Sequence, residues 1–178
     1  MQSVPATSRP SWVVTRGEQA PQLVDRLLRS LPGWFGIESA NAAYVAAAQT
    51  LPTYLAWPGT GHGPGTESRP VGVLLADRHF PAAAEIHLLA VDPAHHRRGV
   101  GRALIDALEH DLVADGVRLL QVKTLGPSDP DEGYRRTRRF YQAVGFEPLE
   151  ELVGLWPGNP CLIMVKVLGL SAACVLAV

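Results

Sequence analysis

The chain has 178 residues, of which 47% are hydrophobic and 19% charged, which suits one globular domain with a substantial core. A formal net charge of −1 supplies no global field toward nucleic acid or a membrane surface, so neither is an expected partner. No apolar run reaches the roughly 20 residues needed to span a bilayer, and the N-terminus lacks the apolar segment of a secretory signal. The two cysteines, Cys161 and Cys174, form neither a zinc spacing nor a disulfide framework, so the expected location is the reducing cytoplasm and no metal is expected.

Residues 1–10, rich in Ser and Pro, are expected to form a flexible N-terminus. A first strand is predicted over residues 11–15. Pro21 suits the first turn of a helix whose stripe is Leu23, Val24, Leu27, Leu28 and Leu31, and Pro32-Gly33 stops it. After Trp34 and Phe35 comes an alanine-rich helix over residues 39–49. Strands are predicted at 53–57 and 71–76, separated by a Gly/Pro/Thr/Ser loop over 58–69. Ile86, Leu88, Ala90 and Val91 mark the next strand, which stops at the turn signal Asp92-Pro93. Val100, Ala103, Leu104, Ala107, Leu108 and Leu112 then recur at helical spacing. Residues 117–125 are mostly apolar and are predicted to form a buried strand beside that of Ile86. A helix over 132–144, closed by Gly145, and strands at 146–153 and 162–168 complete a β-α-α-β-β-β-α-β-α-β-β order. The tail, 169–178, is apolar and stands outside this pattern.

Between the strand of Ile86 and the helix of Val100 lies His96-Arg97-Arg98-Gly99-Val100-Gly101. A glycine-bearing loop that opens a helix presents unpaired backbone N–H groups at the positive end of the helix dipole, which suits a phosphate. Arg97 and Arg98 add charge and planar donors. This strand-loop-helix string resembles the acetyl-CoA-binding motif of the GNAT superfamily of N-acetyltransferases, whose loop usually reads Gln/Arg-x-x-Gly-x-Gly/Ala. Here His96 stands in place of the Gln or Arg. The resemblance implies an α/β (α+β) fold over residues 11–168, with a mixed, mostly antiparallel central sheet flanked by about four helices. It also implies acetyl-CoA as co-substrate, held by His96, Arg97, Arg98, Gly99, Val100, Gly101 and Arg102. A β-bulge near Leu89, Ala90 and Val91 would free N–H groups for the thioester and pantetheine.

Acetyl transfer to an amine needs a base for the amine and an acid for the departing thiolate. Glu85 occupies the position where histone-type members of the superfamily place their catalytic glutamate. Its apolar neighbours Ala84, Ile86 and Leu88 would desolvate it and raise its pKa, although a solvent-facing strand-edge glutamate is the plainer reading of the residues alone. Tyr141, in the run TRRFYQAVGFEP, matches the tyrosine that serves the superfamily as general acid, while core packing beside Phe140 and Val144 would explain it structurally. His87 shares a sheet face with Glu85 by the period of two, and would touch substrate, relay a proton or simply bond a neighbour. Trp34, Phe35, Glu38 and Tyr44 lie in the segment that borders the acceptor site in GNAT proteins. Aromatic faces plus a carboxylate would suit a cationic amine, and core packing explains the aromatics equally well. Lys123 interrupts an apolar strand and must be paired or stand at the cleft mouth. Arg135, Arg136, Arg138 and Arg139 would reach phosphates or form a solvated basic face.

The expected function is therefore direct acetyl transfer from acetyl-CoA to a primary amine of a small molecule or peptide, with a homodimer left open. The alternative is a catalytically silent acyl-CoA-binding module.

Overall fold

The computed structural model describes residues 12–59 and 68–169. The expected flexible N-terminus 1–10, residues 60–67 of the long loop and residues 170–178 of the apolar tail lie outside the described residues.

The elements follow the order that the periodicities predict: β1 (Trp12–Arg16), α1 (Pro21–Arg29), α2 (Glu38–Ala47), β2 (Thr53–Pro58), β3 (Gly72–Phe80) and β4 (Ala83–Val91). A 3₁₀ turn at Pro93–His95 leads into α3 (Val100–Ala114), β5 (Leu119–Leu125), α4 (Glu132–Ala143), β6 (Glu147–Trp156) and β7 (Asn159–Val167). The seven strands make one sheet in the order β1-β2-β3-β4-β5-β7-β6. Neighbouring strands are antiparallel except for the parallel pair β4–β5, which α3 connects. This is the mixed, mostly antiparallel sheet with four flanking helices that the sequence implies.

The apolar stripes decide which helix covers which face. Leu23, Val24, Leu27 and Leu28 of α1 pack on Leu55, Val73, Leu75, Leu88 and Ala90. Val100, Leu104, Ile105 and Leu108 of α3 pack on the opposite face against Leu74, Ile86, Leu120 and Val122, and Tyr141 of α4 joins that side. Strict alternation would put Ile86, Leu88 and Ala90 on one face. Instead β4 carries an extra residue: Leu75 pairs with Leu88, but Ala76 pairs with Ile86, leaving His87 as a bulge. The phase therefore switches, so Leu89 and Val91 join Ile86 on the α3 side while Leu88 and Ala90 turn toward α1. The bulge expected near Leu89, Ala90 and Val91 lies at His87, just before them, and those three keep regular register with Leu74, Val73 and Gly72.

The parallel ladder is short. It runs from Ala83↔Leu119 to Ile86↔Val122 and ends there, while β5 stays paired with β7 through Leu125. Beyond that point β4 and β5 part, and residues 87–91 have no strand partner on the β5 side. Among the described residues no helix is long and apolar enough to cross a membrane.

Gly72, where β3 passes under α3, allows this packing. A Cβ there would stand 2.8 Å from Val100 Cγ1 and 3.2 Å from Leu104 Cδ1. Gly72→Ala should therefore overpack the α3 face and cost about 1–3 kcal/mol, read as a lower denaturation midpoint in urea.

Candidate functional site

Where β4 and β5 separate, a cavity of about 1010 Å³ opens between the two strands, α4 and the segment after α1. One end is the loop before α3. Gly99 is the N-cap of α3, has φ 88° and supplies no side-chain cap, and the helix has no acidic residue in its first turn. The first-turn N–H groups therefore have neither a capping side chain nor a neighbouring carboxylate. In α4, by contrast, Asp131 accepts from Tyr134 N at 2.8 Å. Arg97 also takes positive φ, 58°, uncommon for a non-glycine residue. Gly101 lines the cavity, and a Cβ on it would come within 3.0 Å of the Phe140 ring. The first turn of α3 thus lies close against the Phe140 ring of α4, and the Arg102 side chain donates to the Ala143 carbonyl at 2.9 Å.

Aromatic and histidine contacts hold this loop. Trp12 Nε1 donates to the Arg98 carbonyl at 2.8 Å, His96 Nε2 bonds the Val91 carbonyl at 2.8 Å, and Trp34 meets the His96 ring edge-on at 6.0 Å. Trp34 also bridges to α4: its Nε1 donates to Thr137 Oγ1 at 3.1 Å, and its carbonyl accepts from the Tyr134 hydroxyl at 2.7 Å. Arg97, Arg102, Arg136 and Arg139 line the cavity. Arg98 does not, and Arg138 turns to the Leu125 and Gly126 carbonyls at 2.8 and 3.2 Å.

Tyr141 lies in the wall, 6% exposed, packed on Phe140 and Phe146 at 5.3 and 5.5 Å between ring centres. Burial above all, then the neighbouring Tyr44 and Tyr134, pushes its hydroxyl well above the ordinary phenol range. It has no hydrogen-bond partner among the described residues. Tyr134 is pushed up to about 12, again mainly by burial. Thr124, 4% exposed and also in the wall, has a hydroxyl with no partner among the described residues.

Glu85 behaves differently from the expectation. It is 5% exposed and absent from the cavity wall, and its Oε2 accepts from Lys123 Nζ at 2.6 Å and Gln121 Nε2 at 2.6 Å. His79 Nε2 stands 2.9 Å from the same oxygen. Burial is the largest single influence and pushes its pKa up, as expected. The bonds from Lys123, His79 and Gln121 together outweigh it, so the carboxyl sits below its ordinary value. The expected raised pKa is therefore corrected. Glu38 is the second correction: it is exposed, leans toward Arg29 at 3.5 Å, and does not line the cavity. His87, Trp34 and Phe35 do line it, as do Leu89, Ala90, Val91, His96, Val100 and Gly101.

The middle of the chain matches a known family: residues 65–148 fit the model of the acetyltransferase (GNAT) domain. Over those residues the chain is similar to GNAT acetyltransferases. No curated protein sequence matches it. Among solved structures, an acetyltransferase assigned to the GNAT family from Desulfovibrio desulfuricans superposes with TM-score 0.72 at 20% identity, over 88% of this chain and 99% of that one. A GNAT acetyltransferase from Elizabethkingia anophelis with acetyl-CoA bound gives 0.62 at 14% identity, over 88% and 98%. The aminoglycoside 6'-N-acetyltransferase from Enterococcus faecium gives 0.61 at 17% identity, over 87% and 96%. At these identities the likeness is one of fold.

Several residues of the cavity escaped the sequence reading. Thr124 and Trp156 carry no motif, and Arg136 and Arg139 could not be told from the solvated Arg135 beside them. Helical spacing groups Tyr134, Thr137, Arg138 and Tyr141 on one face, and all but Arg138 line the cavity.

The Glu85 cluster has a measurable signature. Its folded pKa is depressed, so its stabilisation is complete above the ordinary carboxylate range and is lost as pH falls through the folded value. Glu85→Gln should cost about 1–3 kcal/mol near neutral pH, because Lys123 and His79 lose their charged acceptor. In urea melts from pH 7 to pH 3 the gap between the two proteins should close as pH falls.

Proposed function

We propose that the protein is an acetyl-CoA-dependent N-acetyltransferase that moves the acetyl group directly to a primary amine of a small molecule or peptide. The observation that carries this reading is the uncapped, acid-free N-terminus of α3 opening into a cavity that also holds the Tyr141 hydroxyl and the unpaired edge of β4.

The pyrophosphate would lie on the first-turn N–H groups of α3, with Arg97, Arg102, Arg136 and Arg139 within the same wall. The pantetheine and thioester would run along residues 87–91 of β4, whose β5-side backbone groups have no strand partner. The amine nitrogen attacks the thioester carbon, the carbon–sulfur bond breaks, and Tyr141 gives its proton to the leaving sulfur. A phenol with a raised pKa remains protonated throughout the working range, and the same dry surroundings raise the proton affinity of the thiolate it meets. The amine's proton goes to His87, because a histidine is the usual proton carrier near neutral pH and this one faces the cavity. Glu85, bonded through Oε2 to three donors, is assigned to hold Lys123 at the cavity wall rather than to act as base. We place the protein in the reducing cytoplasm, a reading supported by the free, buried thiol of Cys161.

A silent acyl-CoA-binding module is the second reading, favoured by the absence of any carboxylate from the cavity wall among the described residues. A screen of amines that follows free-thiol release decides between the two. Turnover above background hydrolysis supports the enzyme, whereas acetyl-CoA binding with no turnover of any amine supports the module.

Two variants test the parts separately. Gly101→Asp should set a negative charge at the α3 N-terminus and weaken acetyl-CoA at least about 10-fold in calorimetry, whereas Gly101→Ala, which only presses on Phe140, should weaken it less. Tyr141→Phe keeps the packing, so acetyl-CoA affinity should stay within a few-fold while turnover falls about 10²–10⁴-fold. The loss should shrink with acyl donors of more acidic thiols.

A further inference from the structure

The cavity wall carries one sign of charge. Among the described residues no aspartate or glutamate lines it, while Arg97, Arg102, Arg136, Arg139 and Lys123 do. Of the 17 acidic residues in the chain, only Glu67 lies outside the described residues. The acids nearest in sequence to the cavity residues are engaged elsewhere. Asp92 accepts from Ala94 N, Glu132 pairs with Arg135, Glu38 faces Arg29, Asp131 caps α4, and Glu85 Oε2 is taken by Lys123, Gln121 and His79.

A different part of the wall is aromatic. Phe35 meets Tyr44 edge-on at 5.9 Å between ring centres, and Tyr44 meets His87 edge-on at 5.5 Å. Burial above all, and then the charge of Glu85, pushes the Tyr44 hydroxyl up, which keeps it neutral. A cationic amine entering here would lose water with no carboxylate in the wall itself to bond it. An apolar ring would instead gain burial against this wall.

We propose that the acceptor is a small monoamine carried on an aromatic or other apolar group and bound in its uncharged form, and that polycationic amines are excluded. The proposal rests on the N-acetyltransferase reading and names the substrate class of that same site. The alkaline form of such an amine needs no carboxylate to receive it. After attack it has one proton to lose, for which His87 lies in the adjoining wall.

The test compares 2-phenylethylamine with spermidine and kanamycin on the full chain, by thiol release with saturating acetyl-CoA. In parallel, calorimetry measures the binding of each amine to protein preloaded with CoA. The expected kcat/KM for 2-phenylethylamine exceeds that of both polycations by about 100-fold or more, since desolvating several ammonium groups with no carboxylate in the wall is costly. Its KM should fall as pH rises toward the pKa of the amine. Tyr44→Ala should raise that KM while the Kd for acetyl-CoA stays unchanged. Equal or better use of spermidine or kanamycin overturns the proposal, as does a KM that rises with pH. If no amine is turned over, the transferase reading fails on its own account and calorimetry still decides the acceptor class. Preferential binding of 2-phenylethylamine then sustains the proposal, and preference for a polycation, or binding of neither class, overturns it.

Discussion

The parting of two parallel strands governs this molecule. β4 and β5 share a ladder only as far as Ile86↔Val122, after which β5 follows β7 and β4 follows β3. Backbone groups buried without partners are costly, so an edge opened inside a sheet must be met by water, side chains or a ligand. Here the edge of residues 87–91 faces a cavity, and the Val91 carbonyl at its end is taken by His96. The extra residue at His87 coincides with the split. It turns Leu88 and Ala90 toward α1 and returns Leu89 and Val91 to the α3 side, so both layers of the protein close around the gap.

The charges are sorted about that gap. The α3 N-terminus is a positive end with no acid in the first helical turn to offset it, and four arginines line the same cavity. The most deeply buried carboxylate among the described residues, Glu85, is drawn out of play by donors from β3 and β5, whose bonds overcome the burial that would otherwise raise its pKa. Tyr141 shows the opposite balance. With no donor or cation beside its hydroxyl among the described residues, burial dominates and the phenol stays protonated. One physical effect, desolvation, thus acts on both groups, and hydrogen bonding decides which one it governs.

Trp34 shows how a loop residue can organise a site. Its indole donates to α4, its carbonyl accepts from α4, and its ring edge meets the loop before α3. Three elements distant in sequence are thereby tied together across the mouth of the cavity. A tryptophan suits this position because one side chain offers a donor and a large apolar surface.

Local periodicity determined the elements and their order. The stripe Leu23, Val24, Leu27, Leu28 could bury only one helical face, and the spacing of Val100, Leu104 and Leu108 could bury only another. The loop from His96 to Gly101 was legible for the same reason, since a strand stop, glycines and a helix start are all local signals. Tyr141 and His87 were legible as cavity residues through motif and position. The fate of Glu85 was not, because its partners come from β3 and β5, at His79, Gln121 and Lys123, and no sequence period links them. Glu38 could not be read either, since the half-turn that aims it at Arg29 depends on how α2 packs on α1. The place of the bulge was equally hidden, because an extra residue in β4 shows only against the register of β3. Periods within a segment are written in the chain, whereas register, strand parting and the donors around a buried charge arise only when segments distant in sequence meet.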